Sequence, residues 1–414
     1  MRLLYNIGQL ATCRAEGGQA EIHAIADAAL VWDEGGIRWA GQAAELPGAY
    51  RHVEPVDAGG RLVIPGLVDC HTHLAFAGWR AQEFEQRITG RSYLEIARAG
   101  GGIMATVRQT RAATEQELLE RAGRFLEGML ALGVTTVECK SGYGLDEATE
   151  LKLLRVYRRL AGEQPVRLVP TFLGAHVVPP EFRDNRAGFI ELLVEHWMPK
   201  VAQDRLAACC DVFVEESAFT VEEARRILRA AQRLGLRAKL HADQLTSAGG
   251  AELAAEVGAL SADHLEHISE RGIAALAQAG VVAVSLPLAS LYLRQSAMPA
   301  RRLIAAGVPV AVATDFNPGS APSYHLPLAL TLACTLQSMT PAEALKGATI
   351  YAARAVGLEQ EIGSLEAGKS ADFAVIDAPD VTHWLYHLRP NACLLTVARG
   401  VARWVAAERA SQPA

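Results

Sequence analysis

No stretch of this 414-residue chain reaches about 18 uninterrupted apolar residues, and its first residues lack a charged segment leading into an apolar one. Neither a membrane span nor an export signal is expected. A basic excess is missing as well: 40 Lys and Arg face 46 Asp and Glu, a formal net charge of −6. Nucleic acid and anionic membranes both want a basic face, so neither is expected as a partner. Cysteine is sparse. The seven are odd in number and form no Cys-x-x-Cys pair, which argues for a reducing, cytoplasmic compartment rather than a disulfide framework. Fixed-period repeats and low-complexity segments are also absent. What is present is half hydrophobic and 21% charged, ordinary globular composition that can bury a large core.

Apolar β-type runs fall at 62–69, 134–139, 166–172, 211–215, 237–241, 260–264, 281–286 and 308–314. Helical patterns separate most of them, for example 115–132, 221–234, 251–257 and 270–279. Eight such runs with helical spacers predict an α/β chain built on a (β/α)8 TIM-like barrel. A doubly wound open sheet is the rival arrangement. Short strands at 30–32, 36–40 and 62–64 precede the barrel. After a helical stretch at 341–356, further strands follow at 373–376, 395–397 and 401–405, and 411–414 reads as a frayed end. Strands at both ends predict a small β-sandwich-like domain built from both termini, dividing the chain into 1–62, the barrel at 63–365, and 366–414.

The chemistry concentrates where these strands end. Asp69-Cys70-His71-Thr72-His73 follows the first run directly. Histidines two apart on a strand point to the same side, and two imidazoles at the C-terminal end of a barrel strand suit a metal. Alone, His-x-His is a frequent accident and reads equally as two loop histidines. His241, however, ends the fifth run and Asp315 follows the eighth. Three imidazoles and a carboxylate on one rim suit zinc or iron, with room for water. His264 ends the sixth run and His176 follows the third, both as candidates for catalytic or supporting roles, whereas His267 reads as a surface residue. The fourth run carries no lysine to bridge two metals, and neither Lys140 nor Lys239 takes that position, so one metal is expected. His383 and His387 have no evident partner and read as surface groups.

With these motifs in view the chain resembles the amidohydrolase superfamily. Gly-Gly-Gly-Ile at 100–103, Lys-Ser-Gly-Tyr-Gly-Leu at 140–145, Gly-Ala-His at 174–176, His-Ala-Asp-Gln at 241–244 and Ala-Thr-Asp-Phe-Asn-Pro-Gly-Ser at 313–320 narrow the likeness. They resemble its ring-opening branch in histidine degradation, over about 62–376. That resemblance implies hydrolysis of 4-imidazolone-5-propanoate to N-formimidoyl-L-glutamate by a homodimer. It implies one zinc or iron ion on His71, His73, His241 and Asp315, with substrate or product contacts from Arg80, Tyr143, His176, Gln244, Asn317, Gly319 and Ser320. The residue types agree in part. A guanidinium grips a propionate through two hydrogen bonds, although a solvated charge is the commoner fate of an arginine. Tyr143 lies between two glycines that let the backbone bend sharply, although a turn tyrosine can simply cover core. Asn317 to Ser320 is also an ordinary turn sequence.

The implied mechanism uses the metal to activate water. His264 or His176 would serve as a donor to the developing oxyanion, and Asp315 would shuttle the proton. Deaminases of the superfamily often carry glutamate where this chain has Gln244, which cannot ionise. That departure weakens a nucleobase-deaminase reading, which stays open beside a non-catalytic barrel scaffold.

Overall fold

Among the described residues the strands fall into two eight-stranded sheets, and a single residue, Gly66, separates them where the chain passes from one to the other. In the computed structural model, which describes residues 1–91, 95 and 99–406, the apolar run at 62–69 is two strands rather than one. β5 (Leu62–Pro65) belongs to a sheet made from the termini, and β6 (Leu67–Asp69) opens the barrel. The break comes at Gly66, packed so close to Thr135 that a Cβ would lie 2.2 Å from its hydroxyl oxygen. Pro65 before it has no N–H to continue a ladder.

The terminal sheet contains β1 (Arg2–Ala11), β2 (Ala24–Asp33), β3 (Gly36–Gln42), β4 (Pro55–Asp57) and β5, with β14 (Phe373–Ile376), β15 (Cys393–Ala398) and β16 (Val401–Val405). Its order is β16-β15-β14-β5-β1-β2-β3, with β4 beside β1. The two chain ends meet where β5 pairs antiparallel with β14. Trp32 on β2 packs edge-to-face on Phe373 of β14 at 4.9 Å although two strands separate them, so the sheet curls over its own core. That core is apolar throughout: Leu4, Ile7, Leu10, Leu30, Val63 and Val375 join the two rings. A sandwich-like domain from both termini is what the sequence predicts. β1 was not foreseen, because Arg-Leu-Leu-Tyr-Asn-Ile-Gly-Gln-Leu-Ala does not alternate cleanly. Its register shifts between Leu4 and Ile7, where Asn6 takes φ +52°.

The barrel runs through β6, β7 (Val134–Lys140), β8 (Arg167–Ala175), β9 (Cys209–Val214), β10 (Arg237–Ala242), β11 (Ser261–His264), β12 (Val282–Ser285) and β13 (Val310–Val312), each parallel to the next. Backbone bonds just beyond the last strand close the ring: His73 N donates to Phe316 O at 2.9 Å and Asp315 N to His71 O at 3.1 Å. A parallel (β/α)8 barrel follows, not the open-sheet rival. Helices between the strands start where the sequence marks them. Thr114 accepts from Glu117 N at 3.2 Å while the Glu117 carboxylate accepts from Thr114 N, a reciprocal cap that Thr220 and Glu223 repeat. The stretch at 341–356 is two helices, Pro341–Gly347 and Ile350–Ala355. It breaks at Thr349, whose hydroxyl bonds back to Leu345 O at 2.7 Å. Residues 411–414 lie outside the described residues. Among the described residues no helix is long and apolar enough to cross a membrane.

Val, Ile and Leu ordinarily fill the inside of such a barrel. Here Glu138, Lys140, Asp211, Lys239 and Asp263, all fully buried, occupy strands β7, β9, β10 and β11.

Candidate metal centre and active site

Four side chains from three places on the rim converge. His71 and His73 leave the end of β6, His241 lies near the end of β10 and Asp315 follows β13. His71 Nε2 and His73 Nε2 each lie 3.5 Å from Asp315 Oδ1, and His241 Nε2 is 3.4 Å from His73 Nε2. Ligands about 2.1 Å from a tetrahedral ion stand roughly 3.4 Å apart, so the spacing fits a divalent cation. His71 Nε2 is buried with no hydrogen-bond partner. Burial, reinforced by neighbouring cationic groups, holds His71 and His73 well below the ordinary imidazole range, so both keep free lone pairs. Burial also pushes the Asp315 carboxyl up to about 6, against the pull of His264 and the hydrogen bonds of Asn317 and Ser320.

Behind the imidazoles stands a layer of carboxylates that the sequence did not announce. Asp263 Oδ2 lies 2.6 Å from His71 Nδ1, and Asp211 Oδ2 lies 3.0 Å from His241 Nδ1. At His71 the carboxylate on Nδ1 fixes the tautomer that leaves Nε2 free for a metal, and at His241 the carboxylate acts as a close ion-pair partner. Burial favours the neutral form of both acids. His241 and Lys140 overcome that at Asp211, and Lys239 and Lys140 at Asp263, so both sit below the usual carboxylate range.

His264 reaches the same cluster, its ring centroid 5.3 Å from that of His241. Burial opposes its charge, yet Glu266, 3.7 Å away, and the Asp315 carboxylate raise its pKa above the ordinary value. Its backbone stands at φ +82° and that of Asp315 at φ +55°, sparsely populated conformations for side-chain-bearing residues that concentrate at functional sites. His176 differs. Its Nδ1 lies 3.0 Å from Gly142 O, a pure acceptor, so Nδ1 carries the proton and Nε2 presents a lone pair. Burial takes its pKa down to about 3. A neutral His176 in that tautomer accepts hydrogen bonds at Nε2 rather than donating them.

A cavity of about 800 Å³ opens above the cluster, lined by every sequence-selected contact residue: Arg80, Tyr143, His176, Gln244, Asn317, Gly319 and Ser320. A smaller cavity of about 260 Å³ lies elsewhere, against His325 and Trp384, remote from this chemistry. Loops carry the contact residues, and buried acids hold the loops. Glu150 accepts from Gly142 N, Gly144 N and Leu145 N at 2.7–2.9 Å, which fixes the turn that presents Tyr143. Glu215 accepts from Leu245 N at 2.8 Å and from the Thr246 hydroxyl, pinning the segment after Gln244. The Asn317 amide is spent inside its own turn. It donates to Asp315 O and Ser320 Oγ and accepts from Gly319 N and Ser320 N. At Gly319 a Cβ would lie 1.0 Å from Arg80 Nη2, so glycine there makes room for the guanidinium. Buried Arg80 Nε has no hydrogen-bond partner. His267 is exposed; so are His383, beside Asp380 at 2.8 Å, and His387, which contacts His383 O at 2.8 Å.

The Amidohydrolase family model matches residues 62–403. Imidazolonepropionase of Cupriavidus necator is 50% identical over 366 residues, covering 87% of this chain and 88% of the relative. That of Shewanella baltica is 48% identical over 379 residues, covering 91% and 93%. The chain belongs to the amidohydrolase family, among the imidazolonepropionases. Among solved amidohydrolase-like structures, 5-methylcytosine deaminase from Klebsiella pneumoniae superimposes with a TM-score of 0.75 at 18% identity, covering 98% of this chain and 97% of that one. A zinc-bound adenosine deaminase from Xanthomonas campestris gives 0.71 at 19%, covering 97% and 92%. At such identity these two share the fold alone. The family and the converging donors together give this amidohydrolase a divalent metal cofactor.

Proposed function

We propose that this chain opens the ring of 4-imidazolone-5-propanoate to give N-formimidoyl-L-glutamate. The observation that carries the reading is a cavity lined by converging metal donors and by the Arg80 guanidinium, whose buried Nε makes no hydrogen bond and whose ion-pair partner, Glu83, lies 3.9 Å away. His71, His73, His241 and Asp315 hold one zinc or iron ion. An ion held there makes a water nucleophile available at neutral pH.

The chain's own groups do the rest. Arg80 grips the propionate, and Gly319 leaves it room. Tyr143 closes over the ring; Gln244 and Ser320 orient polar atoms; and His176, as an acceptor, takes a ring N–H. Asn317 shapes the turn that carries Gly319 and Ser320. His264 donates to the carbonyl oxygen as negative charge builds there, and Asp315 carries a proton to the ring nitrogen as the C–N bond breaks. The reading includes a homodimer in the cytoplasm, consistent with seven free cysteines.

Freshly prepared imidazolonepropionate tests it directly. Its ultraviolet absorbance should fall on addition of the metal-loaded protein, with formiminoglutamate formed and no ammonia released. Ammonia from a nucleobase, with no loss of the imidazolone signal, would replace this reading with a deaminase.

A further inference from the structure

One buried ammonium touches the carboxylates behind His71 and His241 and the acid that holds the backbone between His71 and His73. Lys140 Nζ donates to Asp211 Oδ2 at 2.7 Å and to Glu138 Oε1 at 2.8 Å, and lies 3.6 Å from Asp263 Oδ2. Asp211 faces His241, and Asp263 faces His71. Glu138 uses its other oxygen to accept from Thr72 N at 3.3 Å, on the residue between His71 and His73. Lys140 also holds that residue through its backbone, donating N–H to Thr72 O at 2.9 Å. Its own carbonyl accepts from the Tyr157 hydroxyl at 2.7 Å. Lys239 reaches less far: it donates to Ser261 Oγ and Ala355 O and lies 3.5 Å from Asp263.

We infer that Lys140 is a positioning residue for the metal, acting through Asp211, Asp263 and Glu138 rather than by touching the ion. The inference rests on the ligand set proposed above. The physical reason is directional. A carboxylate with a charged donor on one oxygen face has a fixed orientation and presents its remaining lone pairs to the imidazole N–H. Without the ammonium, Glu138 and Asp211 lose a shared donor, Asp263 loses a neighbouring positive charge, and the imidazole rings that face Asp211 and Asp263 lose their alignment. Ordinary packing would require only that something fill the space. The geometry found here instead links one nitrogen to each ligand-bearing segment of β6 and β10.

The test is zinc retention against a competing chelator, measured on the full-length protein. Lys140→Met keeps the length of the side chain and removes the ammonium. It should bind zinc about 10- to 100-fold more weakly, the usual effect of removing such outer support. Asp211→Asn should weaken binding comparably, and the double variant should be little worse than the weaker single one, because both cut the same link. Wild-type zinc affinity in folded Lys140→Met, or losses that simply add, would overturn the inference. If circular dichroism shows that Lys140→Met does not fold, Asp211→Asn and Asp263→Asn read the links singly, and unchanged affinity in both overturns it. His241→Ala distinguishes the underlying assumption. That variant should lose zinc outright, and if it retains zinc the ligand set itself is wrong.

Discussion

The two β-cores of this molecule are built on opposite principles. Under the terminal sheet, Leu4, Ile7, Trp32, Val63 and Phe373 bury nothing but hydrocarbon and one indole N–H, which finds Gly400 O at 3.1 Å. Inside the barrel, two lysines and three carboxylates are buried to the same degree. Each ion removed from water costs several kcal/mol before its partners compensate. An apolar filling of similar volume is often neutral or more stable. The terminal core is therefore what packing alone produces, and the barrel core, which lies beneath the converging histidines, is not.

The largest effect expected from breaking that contrast on the catalytic side is at His264. On the mechanism proposed above, its replacement by alanine removes the donor to the developing oxyanion, a loss typically of about 10²–10³ in rate. Metal content must be measured alongside, because His264 lies close to His71 and His241. A metal-replete His264→Ala enzyme with near wild-type turnover would leave Asp315 alone as the acid–base group.

This contrast also explains which parts of the molecule can be read from the sequence. Period-two spacing exposed His71 and His73, and strand ends marked His176, His241, His264 and Asp315, because position along a strand is a local property. The terminal sheet's later strands were legible for the same reason. Asp211 and Asp263 left no such trace: each is an acid inside an apolar run, and only the closed barrel brings them to within 3.0 and 2.6 Å of their imidazoles. Glu150 and Glu215 are hidden similarly, one on a helix beyond its loop and the other at the end of a strand. Lys140 was read only as failing to bridge two metals. Its reach to Glu138, two residues earlier on β7, follows alternation, whereas its reach to Asp211 requires knowing that β9 stands one strand beyond β7's neighbour β8 in the barrel.

A middle-sized effect belongs to the substrate's far end. Gly319→Ala places a methyl group where the Arg80 guanidinium lies, so that side chain must move. Loss of a charge-assisted grip on a carboxylate costs about 1.5–3 kcal/mol, roughly 10- to 100-fold, and should appear mainly in KM. Arg80→Ala should match it. Unchanged KM in both would assign the propionate to another group, and a kcat defect at Gly319 alone would point to disturbance of the adjoining Asp315 turn.

A smaller change should follow Gln244→Glu. Activity should persist, since the residue only orients, but a new carboxylate lines the cavity shared with His264. Negative charge stabilises the imidazolium, so the His264 pKa rises further and the alkaline limb of the kcat profile moves to higher pH. A limb displaced to lower pH, or abolished activity, would contradict an orienting role.

The smallest catalytic effect should come from the most disruptive cut in the other core. Trp32→Ala removes a buried indole that packs on Phe373 and bonds Gly400 O, a deletion that typically costs about 3–5 kcal/mol. Denaturant unfolding should show the loss, and because two β-cores are present the transition can split, in which case the earlier step reports the terminal sheet. Turnover per folded, metal-loaded chain should be unchanged, since no group of this core lines the cavity. Barrel and terminal sheet nevertheless share the seam at Gly66, whose N–H donates to Asp372 O at 2.8 Å, immediately before β14. Movement of β14 therefore has a direct route to β6, which ends two residues before His71. Lowered kcat at full metal occupancy in Trp32→Ala would show that this seam transmits packing to the site, and the division of labour between the cores would fail there.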